Sequence, residues 1–525
     1  MTKKSFSFNP NKRRARINSY AEMSPDKQKE MFPDFFLGIK LNVFRHLKDL
    51  EVNFRNPVTV ITGSNRTGKS SLLLSIGCSH FNFYTRSAVS GDYERTRWSN
   101  VMRFTQHDVQ KEDWSYEVEF RENGHDAVRR PGKRSARSKK WSGCAKKEGQ
   151  IGHPKPRHAK SPDGRNVYLI DMERIIPGRH HPQSIYSRVK NRRGAALNKK
   201  AVYYLSYVLE VSYRTEALGN MGERKIYKYQ NDNSYTTFNT ASGEDVLTHL
   251  IEDIVLSPSG SLILIEEIEI GLHPRIQRRL MDVLYAEAAL EKKQFIVTSH
   301  SSTIIESVEP QSRILLVRNS EGTIVTEQNV SVCRALNAMD SISHPLLSIY
   351  VEDDISKRLV EEALEDILIE HEDMARSIKI VEIGSADKTY SYYQNRQATH
   401  STDNLRRGAA CILDGDMRNE KDRAGHWKYP KDQLLYFHQG NEAPEKMLVR
   451  TYLKYNYNST LEYHLNDGNP HKCFSTMVEL GLAMSEGKAL EKCIKSLRAD
   501  EDGRAYLADL ANFILNACKH YSSII

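Results

Sequence analysis

Apolar residues along this chain come in short β-branched runs that alternate with stretches of helical spacing. Residues 35–43 and 50–54 read as a strand pair that opens the folded part. Residues 58–62, Val-Thr-Val-Ile-Thr, form a third strand that runs into a glycine-containing loop. Residues 70–78 are apolar at helical spacing, so the local order is strand, loop, helix. Residues 80–240 are mixed, with polar insertions and short strand-like runs. The pattern then predicts a helix over 241–254, a strand over 262–265, a helix over 274–290 and a strand over 295–298. Strands alternating with helices indicate an α/β domain with a largely parallel sheet.

A second unit opens after 343–345. It has a buried-type strand over 346–351, an acidic amphipathic helix over 355–369, and strands over 378–383, 409–413 and 434–437. From about residue 446 the pattern is mostly helical. We find no internal repeat, sustained heptad pattern or long low-complexity tract. The expected organisation is a basic N-terminal arm (1–34), a first α/β domain (35–343), a second (344–450) and a helical C-terminal region (451–525).

Composition narrows the class. A chain of 525 residues exceeds one core, so two or three domains are expected. Hydrophobic residues make up 39% and charged residues 27%, as in soluble globular proteins. No apolar run approaches the roughly 20 residues of a membrane span, so no membrane partner is expected. The basic N-terminus has no apolar segment behind it, unlike a secretory signal. Seven cysteines without a C-x-x-C pair argue against a disulfide scaffold and a structural zinc site, which predicts a cytoplasmic location. Cys78 and Cys411 lie in apolar runs and read as core.

The net charge of +9 is unevenly spread. Between Arg129 and Lys160 lie twelve Lys or Arg and one acid, Glu148, among Gly, Ser and Pro. This marks a basic insertion near 121–165 that reads as exposed, either a phosphate-backbone contact surface or a solvated loop. The arm from Lys3 to Arg16 has the same two readings.

Gly63-Ser64-Asn65-Arg66-Thr67-Gly68-Lys69-Ser70 fits the phosphate loop G-x-x-x-x-G-K-[ST], between a strand and a helix as that motif requires. Its glycines let backbone N–H groups wrap the phosphates of ATP, with Asn65, Gly68 and Ser71 in the binding set. Lys69 would reach the β- and γ-phosphates and Ser70 would ligate Mg²⁺. Further on, the strand 262–265 delivers Glu266 and Glu267 at its C-terminal end, where ligands gather in parallel sheets. Glu269, Gly271, Leu272, His273 and Pro274 follow, and His300 follows the strand 295–298. Upstream lies Ala241-Ser242-Gly243-Glu244. Singly, paired carboxylates are commonly solvated and a lone histidine commonly structural; four pieces in one order and context are not an accident of composition.

These pieces resemble the ABC ATPases of the DNA-repair and OLD (overcoming lysogenization defect) type. The resemblance implies that Glu266 holds Mg²⁺ through its water shell, Glu267 polarises the attacking water and His300 senses the γ-phosphate. It also implies that Ser242 and Gly243 cap the ATP of an opposite protomer, making the working form a homodimer or higher oligomer. Phe44 and Arg45 would lie beside the adenine. The sequence departs from most ABC ATPases in having Glu266 where they carry Asp.

In the second unit, two apolar strands end in carboxylates: Glu352 after 348–351, and Asp414-Gly415-Asp416 after 409–413. In a parallel sheet these ends meet on one edge and offer hard oxygen donors for Mg²⁺ or Mn²⁺, with Glu445 as a further ligand. Two metals about 4 Å apart would activate water and stabilise the leaving oxygen of a phosphodiester. The bland alternative is a surface turn, since Asp-Gly-Asp is good turn chemistry. A strand ending in Glu and a later one ending in Asp-x-Asp resemble the TOPRIM domain, although Asp353 stands where Gly often follows the Glu and Ser356 where an Asp often lies.

The combined fold class is therefore α/β: an ABC-type, RecF/SMC-like ATPase domain, a TOPRIM-like domain and a helical tail. The pairing resembles the OLD family over about residues 35–450. That resemblance implies an ATP-regulated, metal-dependent nuclease acting on nucleic acid, with DNA the leading target, in bacterial anti-phage defence. Some members are encoded with a reverse transcriptase, which makes that enzyme with its reverse-transcribed DNA a candidate partner. The alternative is a non-catalytic DNA-binding ATPase of the RecF or SMC kind. A primase or topoisomerase lacks its flanking domains here, and a transporter ATPase is disfavoured by the fused acidic unit and the His273-Pro274 segment.

Overall fold

All five residues of the strand Val58–Thr62 are buried, as are all of Leu262–Ile265 and Gln294–Thr298. Continuous apolar strands of this kind need cover on both faces, which a parallel sheet between helices provides. The computed structural model describes residues 9–87, 92–101, 104, 105, 107, 108, 110–143, 165–172, 183–221, 224–231, 233–319, 322–339, 346–370, 377–399, 408–467 and 469–524. The chain divides into two compact units, Met1–Met339 and Asp340–Ile525.

The first unit is built on an eight-stranded sheet in the order Ile324–Gln328, Arg313–Arg318, Val58–Thr62, Gln294–Thr298, Leu262–Ile265, Val167–Ile170, Phe83–Arg86, Tyr93–Arg95. The inner strands run parallel and the two outermost antiparallel. Three neighbouring strands therefore end on one edge, where they release the segments beginning at Gly63, Glu266 and Ser299. A separate antiparallel sheet of five strands pairs Phe35–Phe44 with both Leu47–Asn53 and Trp114–Arg121, and continues through Val128–Arg134 to Trp141–Gly143. Four more antiparallel strands lie between residues 195 and 236.

Two sequence expectations change. The N-terminal arm is not a free basic tail from residue 9 onward. Its helix Pro10–Asn18 lies on the helix Pro274–Glu291, with Arg14 bonded to Asp282 at 2.8 Å and its guanidinium 4.5 Å from the centre of the Tyr285 ring. Ile17, Tyr20 and Phe32 are buried behind it. Residues 1–8 lie outside the described residues. The start of the basic insertion is likewise built into a sheet: Arg129 pairs with Glu119 at 3.1 Å across the strands, Lys133 with Asp113 at 2.9 Å, and Arg134 is buried under Phe104 and Trp114. Arg129, Arg130 and Lys133 are exposed, as the sequence predicts, while Glu119 on the facing strand and Asp113 just before it pair with two of them. Residues 144–164 of the insertion lie outside the described residues.

In the second unit the strands Ile378–Glu382, Leu347–Val351, Gly408–Leu413 and Leu435–Phe437 lie side by side, all parallel. The described residues from 451 to 524 are mostly helical, but the helix Pro444–Tyr455 runs through 450/451, which is not a structural break. Leu507, Leu510, Ile514 and Cys518 are buried in the same core as the sheet. Tyr521 donates its hydroxyl to the carbonyl oxygen of Ala409 at 3.0 Å. A side chain at Gly408 would strike the Tyr521 ring at 2.3 Å, so the last helix closes directly on the sheet. Among the described residues, no helix is long and apolar enough to cross a membrane.

Candidate functional site

The loop after Val58–Thr62 has the backbone its glycines permit. Gly63 has φ +146° and Gly68, which caps the helix Lys69–Cys78, has φ +93°. A Cβ at Gly63 would lie 2.3 Å from the Leu316 carbonyl oxygen, and one at Gly68 would lie 2.7 Å from Leu47, so both positions exclude a side chain. The loop opens onto the N-terminus of a ten-residue helix, where free N–H groups and the helix dipole favour a phosphate. Lys69 is folded back on the loop, with Nζ donating to the carbonyl oxygens of Gly63 at 2.8 Å and Ser64 at 3.0 Å. Asn65 and Ser70 are exposed, while Ser71 is buried and accepts from Arg45 Nη1 at 3.2 Å.

Glu266 and Glu267 leave the end of Leu262–Ile265. The Glu266 N–H bonds to Ile170 O at 3.0 Å, and the Glu267 N–H donates to Thr298 Oγ1 at 2.9 Å with φ +43°. His300 is anchored through its own N–H, which donates to Glu269 Oε1 at 2.5 Å. Burial lowers the Lys69 pKa, and the charges of Glu267 and Glu269 oppose that shift. Burial, then the Lys69 charge, lowers the His300 pKa, against Glu269 and Glu267. Lys69, Glu267, Glu269 and His300 thus share one electrostatic environment, with the His300 ring neutral at pH 7.

Glu269 and Thr298 have structural roles in this site that the sequence reading did not assign them. The available signal was a polar residue closing an otherwise apolar strand at 298. Phe44 is fully buried against Trp98 and Trp114, with ring centres 5.8 and 5.3 Å away, so it is core and cannot stack on a base. Arg45 keeps its place beside the loop through Ser71.

The helix Ser242–Leu256 begins at the Ala241-Ser242-Gly243-Glu244 segment. Ser242 is exposed. Gly243 lies against the loop that follows the carboxylates: a Cβ there would come within 2.4 Å of the Gly271 carbonyl oxygen.

In the second unit, Glu352 and Asp414 extend from adjacent parallel strands. The Asp414 N–H donates to Glu352 Oε1 at 2.8 Å, and Ser356 Oγ donates to Asp414 Oδ1 at 3.1 Å. Asp353 Oδ1 accepts the Ser356 N–H at 2.8 Å. Burial, with repulsion from Asp353 and Asp416, pushes the Glu352 carboxyl up to about 7. Burial and repulsion from Glu352, Asp353 and Asp416 push Asp414 up to about 8. Asp416 is exposed. Gly415 between them sits on backbone, where a Cβ would meet the carbonyl oxygens of Gly440 and His438 at 2.8 and 2.9 Å.

Glu445 is buried at the start of the helix Pro444–Tyr455 and engages a residue absent from the sequence reading: His471 Nδ1 lies 3.0 Å from its Oε1. Its Oε2 is buried with no hydrogen-bond partner among the described residues. Among the described residues, no group of three or more His, Cys, Asp or Glu side chains is arranged to hold a metal ion.

Two family models match the chain. One, "AAA domain", covers residues 39–153 and so includes the Gly63 loop. The other, "AAA domain, putative AbiEii toxin, Type IV TA system", covers residues 245–306 and so includes Glu266, Glu267 and His300. No curated protein matches the chain. Similar solved structures include the SMC head domain from Thermotoga maritima, at 14% identity over 56% of this chain and 98% of that chain, TM-score 0.35. An SMC head bound to the C-winged helix domain of ScpA is 13% identical over 56% and 98%, TM-score 0.38. The recombination mediator protein RecF, in its RecF-ATPrS structure, is 12% identical over 56% and 98%, TM-score 0.34.

Proposed function

We propose that this chain, which carries an AAA-type ATPase domain, is an ATP-regulated, divalent-metal-dependent nuclease that cleaves DNA. The observation that carries the nuclease half is the pairing of Glu352 with Asp414. Two half-buried carboxyls held side by side, each pushed up toward neutrality, form a site whose repulsion a divalent cation would relieve.

In the first unit, the N–H groups of the Gly63–Ser70 loop bind the phosphates, and Lys69 moves from the Gly63 and Ser64 carbonyls to the β- and γ-phosphates. The fit rests on the two glycine positions that exclude a Cβ. Ser70 and Glu266 would hold Mg²⁺, Glu267 would orient the attacking water, and neutral His300 would bond the γ-phosphate. Ser242 and Gly243 of a second copy close the site, which makes a homodimer or higher oligomer the working form.

In the second unit, Glu352, Asp414 and Asp416 would hold Mg²⁺ or Mn²⁺. Glu445 is the further donor, supported by its buried Oε2 without a hydrogen-bond partner among the described residues. The bound metal would supply positive charge to activate water and stabilise the leaving oxygen. Ser356, by donating to Asp414 Oδ1, fixes which oxygen stays available. The domain reading is a TOPRIM-like sheet of the OLD kind. A role in anti-phage defence is supported by the toxin that names the family matched over residues 245–306. A reverse transcriptase with its DNA is the candidate partner that the OLD resemblance implies.

The test is plasmid cleavage with Mg²⁺ or Mn²⁺ by wild type and Asp414→Ala, with ATP, ADP or neither. Cleavage by wild type that the variant loses is expected. Intact plasmid with wild type in every nucleotide state overturns the nuclease and leaves ATP binding standing. A second reading, a DNA-binding ATPase without cleavage, is favoured by one observation: no three-ligand metal cluster is preformed among the described residues. It predicts ATP-dependent DNA binding with the plasmid left whole.

A further inference from the structure

Within the second unit, a cavity of about 1200 Å³ is lined by Arg418 and Asn419, which follow Asp414–Asp416 in the chain. The short turn Gly415–Asn419 leads from those carboxylates into the cavity wall, which it supplies with Arg418. The remaining walls come from Trp427 on the hairpin closed by the Lys421–Trp427 bridge, residues 429–433, the strand Leu435–Phe437, Gln439 after it, and the last helix. The volume exceeds the range of about 300–1000 Å³ typical of a pocket for one small molecule.

The chemistry of the wall is aromatic and cationic together. Trp427 is 55% exposed on the hairpin, with the Lys421 ammonium 4.9 Å from its ring centre. An indole this open on a cavity rim, with a cation near its ring, offers a stacking surface to a base. Arg418 lies 5.8 Å from the Phe437 ring centre and is held by donating to the carbonyl oxygens of Phe437 at 3.2 Å and His438 at 3.0 Å. Both bonds use Nη2, so the rest of the guanidinium fork is left to meet an anion. Lys431 adds a second cation. The acids of the wall, Asp432 and Asp509, accept from the hydroxyls of Tyr393 and Tyr436. A stacking ring beside fixed and flexible cations is the combination that binds unpaired bases along a phosphate backbone; a duplex keeps its base faces inside its own stack.

We infer that this cavity binds single-stranded nucleic acid, with a base stacked on Trp427 and phosphates on Arg418 and Lys431. The inference deepens the nuclease reading by naming its substrate class, and rests on that reading only for the delivery of a strand to Asp414.

The test is anisotropy of a fluorescent oligothymidylate with the full chain in EDTA, so that binding is read without metal-dependent cutting. A duplex of equal length and thymidine monophosphate serve as competitors. Wild type binds the single strand and the two competitors displace it poorly. Trp427→Ala weakens binding about tenfold or more, Trp427→Phe keeps it within about threefold, and Arg418→Ala weakens it and flattens its salt dependence. Wild-type binding in both Trp427→Ala and Arg418→Ala overturns the inference. Displacement by the monophosphate at concentrations matching the oligonucleotide makes this a free-nucleotide pocket and also overturns it. Trp427-dependent binding with no cleavage after Mg²⁺ or Mn²⁺ addition in any nucleotide state leaves the inference standing and sinks the nuclease. Asp414-dependent cleavage with binding indifferent to Trp427 does the reverse.

Discussion

Lys69 Nζ donates to the carbonyl oxygen of Gly63 over 2.8 Å. The loop thus holds its own lysine where the phosphates of ATP would lie, and ATP must exchange that contact for a charge-assisted one. Lys69→Ala is expected to lower ATP turnover by about a hundredfold or more, the scale of losing one charged transition-state contact. Undiminished phosphate release by the purified variant would remove the loop from the mechanism. A thermal melt should show the variant folded, because the lost bonds join Lys69 only to two carbonyls of its own loop.

Gly243 and Ser242 are neighbours with opposite expected outcomes. A methyl at Gly243 would sit 2.4 Å from the Gly271 carbonyl oxygen, and backbone must move to admit it. Gly243→Ala should destabilise the first unit by about 1–3 kcal/mol, read from the denaturant midpoint. Ser242 is exposed, so Ser242→Ala should change stability by less than about 0.5 kcal/mol. If Ser242 acts across a dimer, its loss lowers ATP turnover and the dependence of turnover on protein concentration. Equal turnover at all concentrations would count against the shared site.

His80 gives the first unit an acid-sensitive element. It is buried beneath Phe36, and its Nδ1–H donates to the Ile76 carbonyl oxygen at 2.9 Å. Burial holds its pKa down at about 3, against an ordinary value of 6.5. Between those values the unfolded chain binds a proton that the folded chain refuses, so stability falls as pH drops below about 6.5. The difference in unfolding free energy between wild type and His80→Gln should change by about 1.4 kcal/mol per pH unit in that window. A pH-independent difference would place the proton elsewhere.

The sheet edges that carry the candidate residues were legible because they are local. An apolar strand of four or five residues followed at once by Gly-x-x-x-x-Gly-Lys-Ser, Glu-Glu or Asp-Gly-Asp places its chemistry by chain continuity alone. Adjacency of Glu352 and Asp414 also followed, since parallel strands bring like ends together. What was hidden depends on partners remote in sequence. Arg14 reads as part of a basic tail until Asp282 and Tyr285 are beside it. Arg129 reads as part of a charge run until the register sets it against Glu119. Glu445 carried no local sign of His471, and the C-terminal helices gave no sign that Tyr521 would close on Ala409. None of these contacts has a spacing that a sequence window can see.

The paired carboxyls of the second unit predict how that unit responds to pH and metal. Asp414 is pushed up to about 8 by burial and by Glu352, and Glu352 to about 7. A carboxyl with a folded pKa above its unfolded value binds more protons folded than unfolded between the two. Stability contributed by this pair is therefore lost as pH rises from about 4 to about 8 in metal-free protein. Asp414→Asn keeps an oxygen for the Ser356 hydroxyl and carries no charge to repel Glu352. In EDTA at pH 8 it should melt a few degrees above wild type, since about 1 kcal/mol moves the midpoint of a unit this size by about 2–4 °C. At pH 5 the gap should close, because both wild-type carboxyls are then largely neutral. Mg²⁺ at pH 8 should raise the wild-type midpoint and leave Asp414→Asn nearly unmoved, because the cation relieves in one protein what the amide already removed in the other. A gap that does not widen with pH would show that Asp414 is not held against repulsion. A gap that widens without any Mg²⁺ response would keep the repelling carboxyl pair and remove the metal from it.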